Sequence, residues 1–179
     1  KLLNEEIDFW VSNGFLKSSN IVNKNKNKKF VLFLDVDGVL NHSKSNDAID
    51  DECLNNLSLL VKKTDAIIIL VSSWKSGWSK NKEMQFDDDA NYLDDKLKSF
   101  GISIFDKSSR HAFLRSFEVG DWLAKFNTNK YLILDDDISN YSDSSLMDHL
   151  VPCDYYNGGF NKDLLNYAFE LLKKLGLTF

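Results

Sequence analysis

The sequence is poor in the residues that build special scaffolds. One proline, Pro152, and eight glycines in 179 residues exclude a collagen-like or proline-rich chain. Its two cysteines, Cys53 and Cys153, stand far apart without CxxC spacing. That excludes a disulfide framework and reads as two reduced thiols. Six positions after them stand Leu59 and Gly159 rather than arginine, which excludes the phosphate loop of cysteine-based tyrosine phosphatases. His42, His111 and His149 lack zinc-ligand spacing. No GxxxxGK[ST] run exists, so the chain is not a P-loop kinase. The longest apolar run, Ala66 to Val71, is strand-sized and far below the roughly 20 residues that span a bilayer. No signal peptide is visible, and a start at Lys1 rather than Met is expected of a domain excised from a longer protein.

Positive charge is also in short supply. With 22 basic and 27 acidic residues, the net charge is −5, which argues against holding nucleic acid by bulk charge. The remaining composition, 43% hydrophobic and 27% charged, excludes disorder, and the length suffices for one full core. A cytoplasmic-type soluble domain is expected. The lysine- and asparagine-rich texture hints at an AT-rich genome and raises the expectation of an effector secreted by an intracellular bacterium.

Along the chain, Asn4 to Phe15 reads as a short amphipathic helix, with Ile7, Trp10 and Val11 on one face. The tract NKNKNKK, Asn23 to Lys29, reads as a solvated linker rather than a phosphate-binding stretch. Residues 1–29 are therefore expected to be an N-terminal helix and polar linker, and 30–179 one domain. Within that domain, Phe30 to Leu34 and Ala66 to Val71 are continuous apolar runs, the mark of strands buried on both faces. Ile102 to Phe105, Tyr131 to Leu134 and a short Leu150-Val151 complete the predicted strands. Apolar residues at helical spacing predict helices over Asp51 to Lys63, Asp87 to Phe100, Arg115 to Phe126 and Asn161 to Leu175. Alternation of this kind implies an α/β fold, a parallel sheet covered on both faces, with ligands at the carboxyl ends of its strands.

Three of those ends carry polar clusters: Asp35-Val36-Asp37-Gly38, Ser72-Ser73-Trp74 and Asp135-Asp136-Asp137. A parallel sheet brings them to one edge. Carboxylates so crowded are unstable unless a cation neutralises them or a proton is retained. Oxygen ligands favour a hard ion, with Mg2+ the usual choice. A metal-bound carboxylate can attack phosphorus and form an aspartyl-phosphate, and a second carboxylate two residues later can protonate the leaving oxygen. Gly38 lets the backbone turn away, and a serine at the next strand end can hold a phosphoryl oxygen. Asp137 reads as a cap or turn residue. Asp35 to Asn46 fails as an EF-hand, because position five is Val39 and Asn46 stands in place of the bidentate glutamate. The acids at Asp87 to Asp89, Asp94 and Asp95 read as a solvated helix face.

The run FLDVDGVLN, Phe33 to Asn41, resembles the first motif of the haloacid dehalogenase (HAD) superfamily of phosphatases. LVSSW resembles the second motif and YLILDDD the fourth, over roughly residues 30 to 140. Together with the arginine-led helix containing EVGDWL, they are most similar to the HAD domains of "Swiss army knife" RNA-repair proteins. The resemblance implies a HAD-like Rossmannoid three-layer sandwich. It implies Asp35 as nucleophile and metal ligand, and Asp37 as general acid and base with its carbonyl on the metal. Ser72 would bind the phosphoryl group, with Ser73 the alternative if the register slips by one. Asp136 would be the main fourth-motif ligand, supported by Asp135. The third motif needs a basic residue; Arg115 fits best, and Arg110, Lys107 and Lys75 stay open.

Only Asn41 to Asp50 and Asp106 to Leu114 occupy the positions where such enzymes insert cap domains. No large cap is expected, and an open site suits a phosphate on a macromolecule. Trp74, Trp78 and Phe86 could flank a phosphotyrosine ring, stack a base, or pack in the core. The acidic balance puts a phosphoprotein ahead of a nucleic-acid terminus as the expected substrate. A catalytically silent HAD-like binding module is the third reading, and the presence of both Asp35 and Asp37 argues against it.

Overall fold

A computed structural model describes residues 29–109, 114–142 and 145–177. The helix expected at Asn4 to Phe15, the polar tract up to residue 28, Arg110 and His111 lie outside the described residues.

Five strands form one parallel sheet: β1 (Val31–Leu34), β2 (Ile67–Leu70), β3 (Ile104–Lys107), β4 (Tyr131–Asp135) and β5 (Leu150–Pro152). Their order is β3-β2-β1-β4-β5, with every neighbouring pair parallel. Among the described residues, four α-helices connect or follow them: α1 (Asp51–Thr64), α2 (Asp88–Ser99), α3 (Arg115–Phe126) and α4 (Lys162–Lys174). The α/β sandwich expected from the strand–helix alternation is the fold observed.

The apolar runs divide by alternation. Leu32, Leu34, Ile68, Leu70, Leu132 and Leu134 pack with Leu54, Leu57, Leu93, Leu97, Leu165 and Leu172 of α1, α2 and α4. Val31, Phe33, Ile69, Tyr131 and Ile133 face the other way, against Val119 and Trp122 of α3 and against Tyr141 and Leu146. A strand that buries both faces has no room for polar positions, which is why β1 and β2 read as unbroken apolar runs. Each fully buried Leu or Ile contributes about 1.5–3 kcal/mol.

Three helices start on side-chain caps: Asp50 accepts from the Glu52 and Cys53 amides, Asp87 from Ala90, and Asn161 from Asp163 and Leu164. Helix α3 starts at Leu114 without a side-chain cap.

Strand β3 begins two residues later than Ile102, where the apolar run starts. Gly101 takes a positive φ of 73° and the Ile102 amide donates back to the Leu97 carbonyl, so Ile102 closes α2 instead of opening the strand. The segment between β1 and α1 holds a short helical turn at Ser43–Ser45 and a bridge between Asn41 and Ile49. Neither it nor the short connection from β3 to α3 has the length of a cap domain. Among the described residues, no helix is long and apolar enough to cross a membrane.

Candidate active site

The strand order puts β2, β1 and β4 side by side, so the chain leaves all three at one edge of the sheet. Asp35 follows β1, Ser72 lies two residues beyond β2, and Asp135 ends β4. All three are buried. Arg115, the first residue of α3, reaches in from the opposite layer. Its Nη1 lies 2.7 Å from Asp35 Oδ2 and 2.6 Å from Asp135 Oδ2. One guanidinium thus bridges two carboxylates that would otherwise repel each other.

Asp35, Asp135 and Asp136 each place a carboxylate oxygen within 4.8 Å of the others. Burial foremost, and then Asp135, push the Asp35 carboxyl up to about 6, while Arg115, the Ser72 hydroxyl and the Val36 amide work in the opposite direction. Asp136 is raised as well, by desolvation and by Asp135. The two carboxylates hold the Arg115 charge more firmly than burial weakens it.

Asp135 is held on both of its oxygens. Its Oδ1 accepts from the Asp137 amide at 3.0 Å, and its Oδ2 accepts from Arg115 and from the Tyr141 hydroxyl at 2.8 Å. Asp136, partly exposed, lies against Gly38. A Cβ added at Gly38 would stand 2.0 Å from Asp136 Oδ2, and the Gly38 φ is +71°. Two separate demands therefore fix glycine there: a left-handed backbone and the space that Asp136 fills. Asp35, Asp135 and Asp136 present carboxylate oxygens alone, a donor chemistry of the type that suits Mg2+.

Asp37 is exposed and is held by two side chains. Trp74 Nε1 donates to both of its oxygens, at 3.1 and 3.0 Å, and Asn41 Nδ2 donates to Oδ1 at 2.9 Å. Asn41 also accepts from the Gly38 amide, fixing the turn after the first motif.

The expected residues sort as follows. Ser72 is buried beside Asp35 and helps to hold its carboxyl down, whereas Ser73 is exposed. Of the expected basic residues that are described, Arg115 reaches the carboxylates. Lys75 is buried against Glu118 and Ser108, and Lys107 donates to the Lys75 and Trp78 carbonyls. Trp78 is a core residue whose indole N–H donates to Asp94, whereas Phe86 is exposed. Asp137 accepts from the Ser139 amide and begins a turn, as its position suggested. Asn41 and Tyr141 escaped the sequence reading. Asn41 stands four residues after Asp37, a spacing that could have drawn notice. Nothing in the spacing marks Tyr141.

A second cluster, His42, Asp50 and Cys53, places one atom of each within 4.8 Å of the others. His42 Nδ1 accepts from the Lys44 amide, so the ring proton sits on Nε2, which faces Asp50 Oδ2 at 3.6 Å. Burial, with Asp50, pushes the Cys53 thiol up to about 12. His42 and Asp50 are engaged as the caps of the Ser43–Ser45 turn and of α1, and the Cys53 thiol donates to the Gly158 carbonyl.

A family model described as the HAD domain in Swiss Army Knife RNA repair proteins matches residues 31–163. A search of the curated proteins and a search of the solved structures each give no match. The matched span covers all five strands and the whole carboxylate cluster, and it supports a phosphatase-type hydrolase. By that match and by the fold, the chain belongs to the HAD superfamily, in the family of HAD domains found in Swiss Army Knife RNA repair proteins.

Proposed function

We propose that this domain is a Mg2+-dependent phosphomonoesterase that works through an aspartyl-phosphate on Asp35. The observation that carries the reading is Arg115 bridging Asp35 and Asp135, with the buried Ser72 at a third strand end of the same edge. Three segments distant in sequence meet at one guanidinium.

The steps follow from the residues. An Asp35 oxygen attacks the phosphorus, the ester P–O bond breaks, and the leaving oxygen takes a proton from Asp37. Water then attacks the acyl phosphate, with Asp37 accepting its proton, and inorganic phosphate leaves. Arg115 and Ser72 hold the phosphoryl oxygens as charge spreads over them. Asp35 and Asp136, with the Asp37 carbonyl, would hold Mg2+, whose charge would offset that of the phosphoryl group. Trp74 and Asn41 orient Asp37. Its exposure leaves room for a bulky leaving group.

For the carrier of the phosphate, we favour a nucleic-acid terminus, because the matching family is described from RNA repair proteins. The acidic balance of the chain favours a phosphoprotein instead. An open site fits both. Turnover of p-nitrophenyl phosphate with Mg2+, abolished in Asp35→Asn, tests the chemistry; no turnover would leave a silent binding module. Parallel assays on 3′- and 5′-phosphorylated oligonucleotides and on phosphotyrosine peptides test the carrier. Activity on oligonucleotides is expected, and activity on peptides alone would refute that choice.

A further inference from the structure

We propose that the buried trio Lys75, Ser108 and Glu118 is a positioning device that fixes Arg115 against Asp35; its catalytic consequence rests on the function proposed above. All three are buried, and none belongs to the carboxylate cluster. Lys75 Nζ forms an ion pair with Glu118 Oε2 and lies 3.2 Å from Ser108 Oγ. Ser108 Oγ donates to the same Glu118 oxygen at 2.9 Å.

A buried lysine–glutamate pair is a poor way to stabilise a fold. Desolvation cancels most of its attraction, and apolar side chains of similar volume do as well or better. What a hydrogen-bonded pair provides, and an apolar contact does not, is direction. Here it has a use. Lys75 stands three residues after Ser72, and Glu118 stands one helical turn after Arg115, on the same side of α3. A closed ring results. The Val71 amide donates to the carbonyl of Leu34, the residue before Asp35; the chain runs on to Lys75, Lys75 pairs with Glu118, and one turn back along α3 is Arg115, which bonds Asp35.

The first turn of α3 needs such a tie, because Leu114 gives it no side-chain cap. The Arg115 amide does reach Asn140 Oδ1, but at 3.4 Å. Lys107 braces the other side of the ring by donating to the Lys75 carbonyl at 2.8 Å. The two lysines that the sequence offered as rivals of Arg115 thus act as struts that hold its place.

The test replaces the trio together, Lys75→Met with Ser108→Ala and Glu118→Leu, so that none of the three is left as an orphan charge. Two readouts are taken beside the melting temperature. One is kcat/KM on p-nitrophenyl phosphate with Mg2+; the other is hydrogen exchange of the Arg115 guanidinium N–H signals by NMR, assigned with Arg115→Lys. The folded variant should melt at or above the wild-type temperature, lose about tenfold to hundredfold in kcat/KM, and exchange its Arg115 protons faster. A folded variant with slow Arg115 exchange and wild-type kcat/KM overturns the proposal. If the triple variant does not fold, Glu118→Gln decides by the same two readouts. A wild-type protein without turnover would sink the phosphatase reading alone, since the exchange measurement still decides whether the trio holds Arg115.

Discussion

Gly38→Ala tests whether the turn after β1 and the last residues of β4 form one site. Two costs add. At a φ of +71° any side chain pays the left-handed penalty, about 1–2 kcal/mol. The new methyl would also stand 2.0, 2.3 and 2.7 Å from Asp136 Oδ2, Cγ and Cβ. To reach an ordinary 3.4 Å contact, Oδ2 must retreat by about 1.4 Å (3.4 minus 2.0) and Cβ by about 0.7 Å (3.4 minus 2.7). A rotation about the side-chain bonds moves Oδ2 but not Cβ, so the backbone must shift as well. Overpacking of this kind costs about 1–3 kcal/mol. The variant should therefore lose about 2–5 kcal/mol of stability in urea unfolding. Its apparent Mg2+ affinity, read from the activation of p-nitrophenyl phosphate turnover, should fall tenfold or more, which corresponds to about 1.4 kcal/mol. Adding Asp136→Ala removes two of the three clashing atoms and should restore part of the lost stability but none of the Mg2+ response. Wild-type Mg2+ activation in Gly38→Ala would refute the placement of Asp136 at the metal. Strict additivity of the two changes in stability would refute the contact itself.

The remaining predictions are simpler. The Asp35 carboxyl titrates near 6 in the fold against an ordinary 3.8, so the folded state binds its proton more tightly than the unfolded chain does. Stability from this group is full below 3.8 and lost as pH rises through 6, a loss of about 3 kcal/mol that Mg2+ should reduce. Urea unfolding of metal-free protein between pH 4 and 7 should show this slope, and Asp35→Asn should flatten it; parallel profiles would refute the cause. Trp74→Phe removes the indole N–H from both Asp37 oxygens. It should cost about tenfold in kcat on p-nitrophenyl phosphate with little change in melting temperature, and an unchanged kcat would show that Asp37 needs no such support. Leu132→Ala, at a fully buried position in the central layer, should lose about 2–5 kcal/mol by urea titration. Cys53, buried and raised to about 12, should react with a thiol reagent far more slowly than free cysteine at pH 8.

The sequence by itself determined the sheet and its polar edge. FVLFL and AIIILV had to be buried on both faces, because a run without polar positions has no side to give to water. Asp35, Ser72 and Asp135 then fell at one edge by the geometry of parallel strands alone. Helix α3 was legible to the residue, since its apolar face is regular over Arg115 to Phe126. Strand β3 was misplaced by two residues, because Ile102 is as apolar as a strand residue but spends its amide on the end of α2. Choices between chemically equal side chains belonged to the tertiary structure. Arg115, Lys75 and Lys107 carry the same charge, and only packing sends one to Asp35 and the others to Glu118 and to backbone carbonyls. Asp135 and Asp136 are adjacent and identical, yet successive residues at a strand end point to opposite sides. One is committed to Arg115 and Tyr141, and the other lies in the space that Gly38 leaves open. Composition and periodicity record which residues are buried, whereas the partner of a buried charge depends on contacts between segments about 20 to 80 residues apart, which no local pattern encodes.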